Sequence, residues 1–170
     1  IHVVSETEVR LITELNDDMG RYAVVSVKAR LPKIVLYDFM NQENFIIQTQ
    51  SMFVDNEDKQ IVLKVAGNVE DKTVAQYGDD GVTQKATIKS GLANVEDVIV
   101  PNPVVLMPYR TFFEIGQLSV PFIFRMRNGS NGVNCALFEA DGGMWKGTAV
   151  HEIAEYLKNE LADESIVILS

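Results

Sequence analysis

One cysteine, one tryptophan and two histidines are all that 170 residues hold of these types. A lone cysteine closes no intrachain disulfide, and nothing favours an oxidising compartment. No apolar run approaches the ~20 residues that span a bilayer, so no membrane association is expected. No secretory leader is visible at the start, which is Ile1 rather than Met, and the expected location is cytoplasmic. Positive charge is scarce too: 15 Lys and Arg stand against 24 Asp and Glu, for a net charge of −9. Without a basic face to neutralise phosphates, direct binding of nucleic acid or an anionic membrane is not expected. A protein partner with a basic surface is compatible with that charge.

What is present is ordinary for a globular protein: 46% hydrophobic and 23% charged residues. The length fits one domain over 1–170, burying roughly 70% of its unfolded surface. Pro101-Asn102-Pro103 is the best internal boundary, read as a bend within that domain.

The most informative stretch runs from Ser119 to Leu161. Val120, Phe122, Phe124 and Met126 alternate with Pro121, Ile123, Arg125 and Arg127, the period of a strand with one buried face. Asn128-Gly129-Ser130-Asn131-Gly132 tolerates positive φ and reverses the chain, and Val133 to Glu139 returns as a strand covered on both faces. Asp141-Gly142-Gly143 leads into a helix expected from Thr148, a plausible N-cap, to Leu161. Its stripe is Val150, Ile153, Ala154, Leu157 and Leu161.

Elsewhere strands dominate the expectation. Ser5-x-x-Glu8 fits a capping box, but Val9, Leu11 and Thr13 also alternate, so residues 5–19 are open between helix and strand. Ala23, Val25, Val27, Ala29 and Leu31 alternate with polar partners as a half-buried strand. Ile34 to Phe39 and Phe45 to Val54 are apolar runs, Asp55 to Lys59 reads as a charged hairpin tip, and Ile61, Leu63 and Val65 as the returning strand. Val74 to Tyr77 and Val82 to Ile88 read as shorter strands. Pro108 confines its neighbours, Val104 to Met107 and Thr111 to Ile115, to edges or bends. Ile166 to Leu169 can add a last strand. Asn68-Val69-Glu70-Asp71 recurs as Asn94-Val95-Glu96-Asp97, the mark of a duplicated hairpin. The expected fold is α+β: mainly antiparallel β-sheet with one long C-terminal amphipathic helix.

Several motifs point to chemistry, each beside a plainer reading. His151-Glu152-Ile153-Ala154-Glu155 is one letter from a zinc H-E-x-x-H signature, and helical spacing puts His151 and Glu155 on one face. A hydrolytic site needs a third ligand, and the solvated face of a helix is the plainer account. Tyr77-Gly78-Asp79-Asp80 resembles the adjacent-aspartate turn of template-directed polymerases, whose carboxylates hold magnesium. Gly-Asp-Asp-Gly is also what a tight turn looks like. Asp38 and Glu57, with Lys59 for the transition state, make a candidate divalent-metal site of a hydrolase or nuclease.

Gly142, Gly143 and Lys146 precede the helix as a candidate anion site, although Gly147 breaks the phosphate-loop spacing. Cys135 reads as a buried, inert thiol, and Trp145 as a cap over the core or an exposed anchor. Acidic residues come in pairs read as turns: Asp17/Asp18, Asp55/Glu57/Asp58, Glu70/Asp71, Asp79/Asp80 and Glu96/Asp97. Of these, Asp55, Asp58, Asp79 and Asp80, with Trp145, are the candidate partner contacts.

No cofactor is implied. The first expectation is a small, acidic, non-enzymatic protein-binding domain, of a size and charge that suit a phage or mobile-element accessory protein. It binds a basic partner or self-associates through an edge strand. A metal-dependent hydrolase or nuclease is one alternative, and a structural subunit forming homo-oligomers is another.

Overall fold

The computed structural model describes residues 1–74, 84–90, 94–100, 102–130 and 132–170, by backbone alone for 70–74, 84–90 and 94–100. In chain order the elements are β1 (His2–Ser5), β2 (Glu8–Ile12), β3 (Ala23–Lys28), β4 (Met40–Asn41), α1 (Gln42–Met52), α2 (Glu57–Asn68) and β5 (Val69–Val74). They continue with β6 (Gln84–Ser90), β7 (Asn94–Val100), β8 (Val104–Leu106), β9 (Val120–Gly129), β10 (Gly132–Glu139) and α3 (Trp145–Glu160). All strand pairings between these elements are antiparallel, and the α+β class is as expected. The chain folds into two compact units. One is made of 1–32, 109–118 and 143–170, the other of 33–108 and 119–142.

In the second of these units the sheet order is β4-β10-β9-β8. The β9–β10 hairpin forms where the alternation places it: Val120, Phe122, Phe124 and Met126 are buried, and Cys135 pairs with Met126. A Cβ on Gly129 would meet the Asn134 amide nitrogen at 2.6 Å, so a side chain there would push the hairpin end apart. β8 is an edge strand, as Pro108 requires. The Asn102 side chain brackets Phe124, accepting from its N–H at 2.8 Å and donating to its carbonyl at 3.1 Å.

Two helices replace the strands expected between Phe45 and Val65. Asn41 caps α1 by accepting from Asn44 N–H at 2.8 Å, and Asn56 caps α2 by accepting from Lys59 N–H at 2.8 Å. Glu57 and Asp58 add negative charge at the start of α2, where the helix dipole favours it. Burial of Val62, Val65 and Ala66 follows helical spacing and leaves Ile61 exposed. Phe45 of α1 stacks on Phe124 with ring centroids 5.3 Å apart, and Phe53 meets Phe122 edge-on at 6.4 Å.

β5, β6 and β7 form a further sheet in that order. Glu70/Asp71 and Glu96/Asp97 therefore lie inside strands rather than at turns. The repeated tetrapeptide begins at the end of a helix in one copy and at the start of a strand in the other, so it marks no duplicated hairpin.

In the first unit, β1, β2 and β3 form a sheet in that order, which settles Glu8–Ile12 as strand. Ser5 caps nothing helical: its hydroxyl accepts from Thr7 N–H at 3.2 Å within the β1–β2 turn. α3 packs along β1, and Val3, Ile115, Ile153 and Ala154 form the small core. The helix starts at Trp145, three residues before the expected Thr148, with Met144 at the cap and no side-chain cap bond. Gly142 and Gly143, at φ +65° and +82°, turn the chain into it, and that conformation is costly for any residue with a Cβ. The expected strand at 166–169 is reduced to a parallel bridge from Leu169 to His2. Residues 111–115 form bends rather than a strand.

Candidate functional site

The sheet of the first unit is two-faced. Across β2 and β3, Val9 pairs with Val27 and Leu11 with Val25, so these four side chains share one face. Glu8, Arg10, Ser26 and Lys28 occupy the other. There the Glu8 carboxylate takes Arg10 Nε at 2.6 Å and Ser26 Oγ at 3.0 Å, with Lys28 Nζ 3.8 Å away. The Arg10 bond holds the Glu8 carboxyl below the usual carboxylate range, helped by Ser26.

The sequence predicts a half-buried β3, yet all six of its residues are exposed. On the apolar face Val25 and Val27 stand at 49% and 51% exposure, and Val24 on the other face at 63%. The physical reason is that α3 lies along β1, and among the described residues no element covers the apolar face at β3. Where that overhang meets the helix there is a groove of about 260 Å³. Val9 and Val27 line it from the sheet, Ile153, Tyr156 and Leu157 from α3, and Phe112, Glu114 and Ile115 from the intervening segment. β3 is also the sheet's outer strand, so among the described residues one rim of this surface is unpaired backbone.

The candidate metal residues lie on separate elements. Asp38 is exposed before β4, and its carboxylate accepts from Phe39 N–H at 2.8 Å. Glu57 opens α2, while Lys59 is buried and donates to the Phe53 and Gln50 carbonyls at 2.8 and 3.2 Å. That lysine closes the C-terminal end of α1, whose last carbonyls lack helical partners. His151 and Glu155 lie exposed on α3, and Glu155 is 2.6 Å from Lys158, whose hydrogen bond lowers its pKa. Among the described residues no group of three or more His, Cys, Asp or Glu gathers to hold a metal.

The other candidates are placed as follows. Lys146 is exposed beside Gly142 and Gly143 in sequence, 4.0 Å from the Glu6 carboxylate. Trp145 is only 8% exposed, with the Arg110 guanidinium 3.6 Å above its ring, which makes it a cap on the core and corrects its reading as a surface anchor. Asp58 accepts from Val105 N–H at 2.6 Å and Asp55 from the Gln60 amide at 2.5 Å, so both brace the fold. Asp79 and Asp80 lie outside the described residues. Cys135 is fully buried, and burial pushes its thiol up to about 12, far from a nucleophile's range. No helix among the described residues is long and apolar enough to cross a membrane.

The β2–β3 face was missed because a period-2 pattern reports which side chains share a side, not whether anything covers them. No protein-family model, curated protein or solved structure matches the chain.

Proposed function

We propose that this chain is a non-enzymatic protein-binding domain that takes its partner by strand addition along β3. The observation that supports this reading is an edge strand with every residue exposed, continuous with an apolar face and the groove beside α3. An unpaired edge offers a row of backbone donors and acceptors, and the adjoining apolar face supplies pockets for alternate side chains. The net charge of −9 supports a partner of basic overall character, whose encounter weakens as salt rises.

The test is a pull-down from source-cell lysate with the native chain and with Ser26→Pro in parallel, read by mass spectrometry. A partner retained by the native chain and lost with proline on the edge is the expected outcome. A set of proteins unchanged by the substitution places the contact elsewhere and rejects strand addition.

The same exposed apolar strand favours a second reading, a subunit that assembles with its own copies. Sedimentation of the purified chain tests it. Concentration-dependent dimers that Ser26→Pro abolishes would select self-assembly over a foreign partner.

A further inference from the structure

We infer that the segment received by β3 is an extended acidic one, with apolar residues at alternate positions facing the groove and carboxylates on the opposite side. This rests on the strand-addition reading and specifies the chemistry of the occupant.

The backbone phase identifies the free donors. Ala29 N–H donates to Thr7 O at 3.0 Å, and that pair lies in register with Val9–Val27 and Leu11–Val25. Antiparallel ladders alternate, so Val25 and Val27 direct their backbone groups to β2 while Ser26 and Lys28 direct theirs to the open edge. An added strand bonds there, and the side chains it places beside Val25 and Val27 share their face, towards the groove. That lining is apolar except for Glu114 and the Tyr156 hydroxyl, so apolar side chains fit it and a carboxylate there would meet like charge.

Charge specifies the other side. The chain is acidic overall, yet residues 19–32 contain Arg21, Lys28 and Arg30 and no Asp or Glu. Arg21 precedes β3, Lys28 ends it and Arg30 follows it, all three exposed, while the Asp17 and Asp18 carboxylates lie in the turn before Arg21. The carboxylates on β2 lie one strand further in. Glu8 is already bonded to Arg10 and Ser26, and Glu14 follows the strand's end. Lys28 is on the polar face with only a 3.8 Å contact to Glu8 and a side chain 70% exposed, which leaves it free to take a second carboxylate. A cationic edge on an anionic protein also disfavours a second copy of β3, which brings the same three cations to the same seam.

The probe is a blocked eight-residue peptide alternating valine with glutamate, compared with its valine–lysine counterpart. Both are titrated into the ¹⁵N-labelled full chain at low and moderate salt. The expected result is shifts in the Val24 to Lys28 amides with the glutamate peptide, bound at least tenfold more tightly than the lysine peptide at low salt. Salt narrows that gap, and the double reversal Lys28→Glu with Arg30→Glu inverts the preference. Ser26→Pro weakens the glutamate peptide at least tenfold, with Trp145 fluorescence and slow exchange of the Val25 and Val27 amides showing that the hairpin is intact.

Equal or tighter binding of the lysine peptide along β3 overturns the acidic occupant and leaves strand addition standing. A free chain that sediments as a dimer, broken by Ser26→Pro, assigns the edge to a second copy and likewise overturns it. If neither peptide moves the β3 amides in a monomeric chain, the strand-addition reading fails together with this inference.

Discussion

The two units bury apolar residues in different ways. In the unit of 33–108 and 119–142, Phe45, Phe53, Phe122, Phe124, Leu106 and Leu137 are all below 2% exposure, and α1 lies against β10. In the other, the core is Val3, Ile115, Ile153 and Ala154, and the sheet extends beyond its helix. Yet the strands that define each look alike in sequence. Val120-x-Phe122-x-Phe124 and Ala23-x-Val25-x-Val27 both alternate apolar residues with period two. One face is closed by a layer of aromatic rings and the other is left open. An apolar stripe becomes core only when another element covers it.

The contrast can be broken most sharply at Phe124. Phe124→Ala removes a ring stacked on Phe45 and is expected to cost about 3–5 kcal/mol. Alkylation of Cys135, buried in the same unit, reads the loss as faster labelling in urea. Unchanged labelling would mean that the ring layer does not hold this unit closed.

Next is Lys59→Met, which strips the cation from the α1 carbonyls while keeping an apolar stem in place. It is expected to lose about 1–3 kcal/mol by the same readout, because a buried acceptor at Phe53 and a part-buried one at Gln50 lose their donor. A neutral result would show that water replaces the lysine. In the open unit, Ile153→Val is expected to cost about 0.5–1.5 kcal/mol in urea unfolding followed by Trp145 fluorescence. A larger cost would show its core to be more tightly packed than its size suggests.

Val25→Thr, on the uncovered strand, is expected to change stability by less than about 0.5 kcal/mol while weakening the glutamate peptide. A destabilisation as large as that of a core site would show that β3 is covered in solution.

The smallest effect tests the polar face. Glu8 has its folded pKa below its ordinary value of about 4.3, so its contribution is present above that value. The contribution is lost as pH falls through the folded pKa. Glu8→Gln is therefore expected to lower the Trp145-monitored midpoint slightly at neutral pH, with the gap to the native chain closing in acid. A gap that stays constant with pH would assign the effect to packing.

Local signals made much of the fold legible. The β9–β10 hairpin follows from strict alternation around an Asn/Gly turn, and α3 from its apolar stripe. The edge position of β8 follows from Pro108, and the inert Cys135 from its apolar neighbours. The caps Asn41 and Asn56 were not recognised, because Asp55 to Lys59 reads as a hairpin tip and Ile61, Leu63 and Val65 alternate well enough to suggest a strand. What decides for helix is that Val62, Val65 and Ala66 can pack together only at helical spacing, a tertiary choice.

By itself, the sequence determined the α+β class, the paired strands β9 and β10 within one unit and the net charge of −9. Those depend on periodicity and composition, which act locally or on the chain as a whole. Only the tertiary structure decided that Lys59 closes a helix, that Trp145 is capped by Arg110, and that β3 faces solvent. Each of these depends on which element lies opposite, and contacts between residues distant in sequence leave no periodic trace in either segment alone.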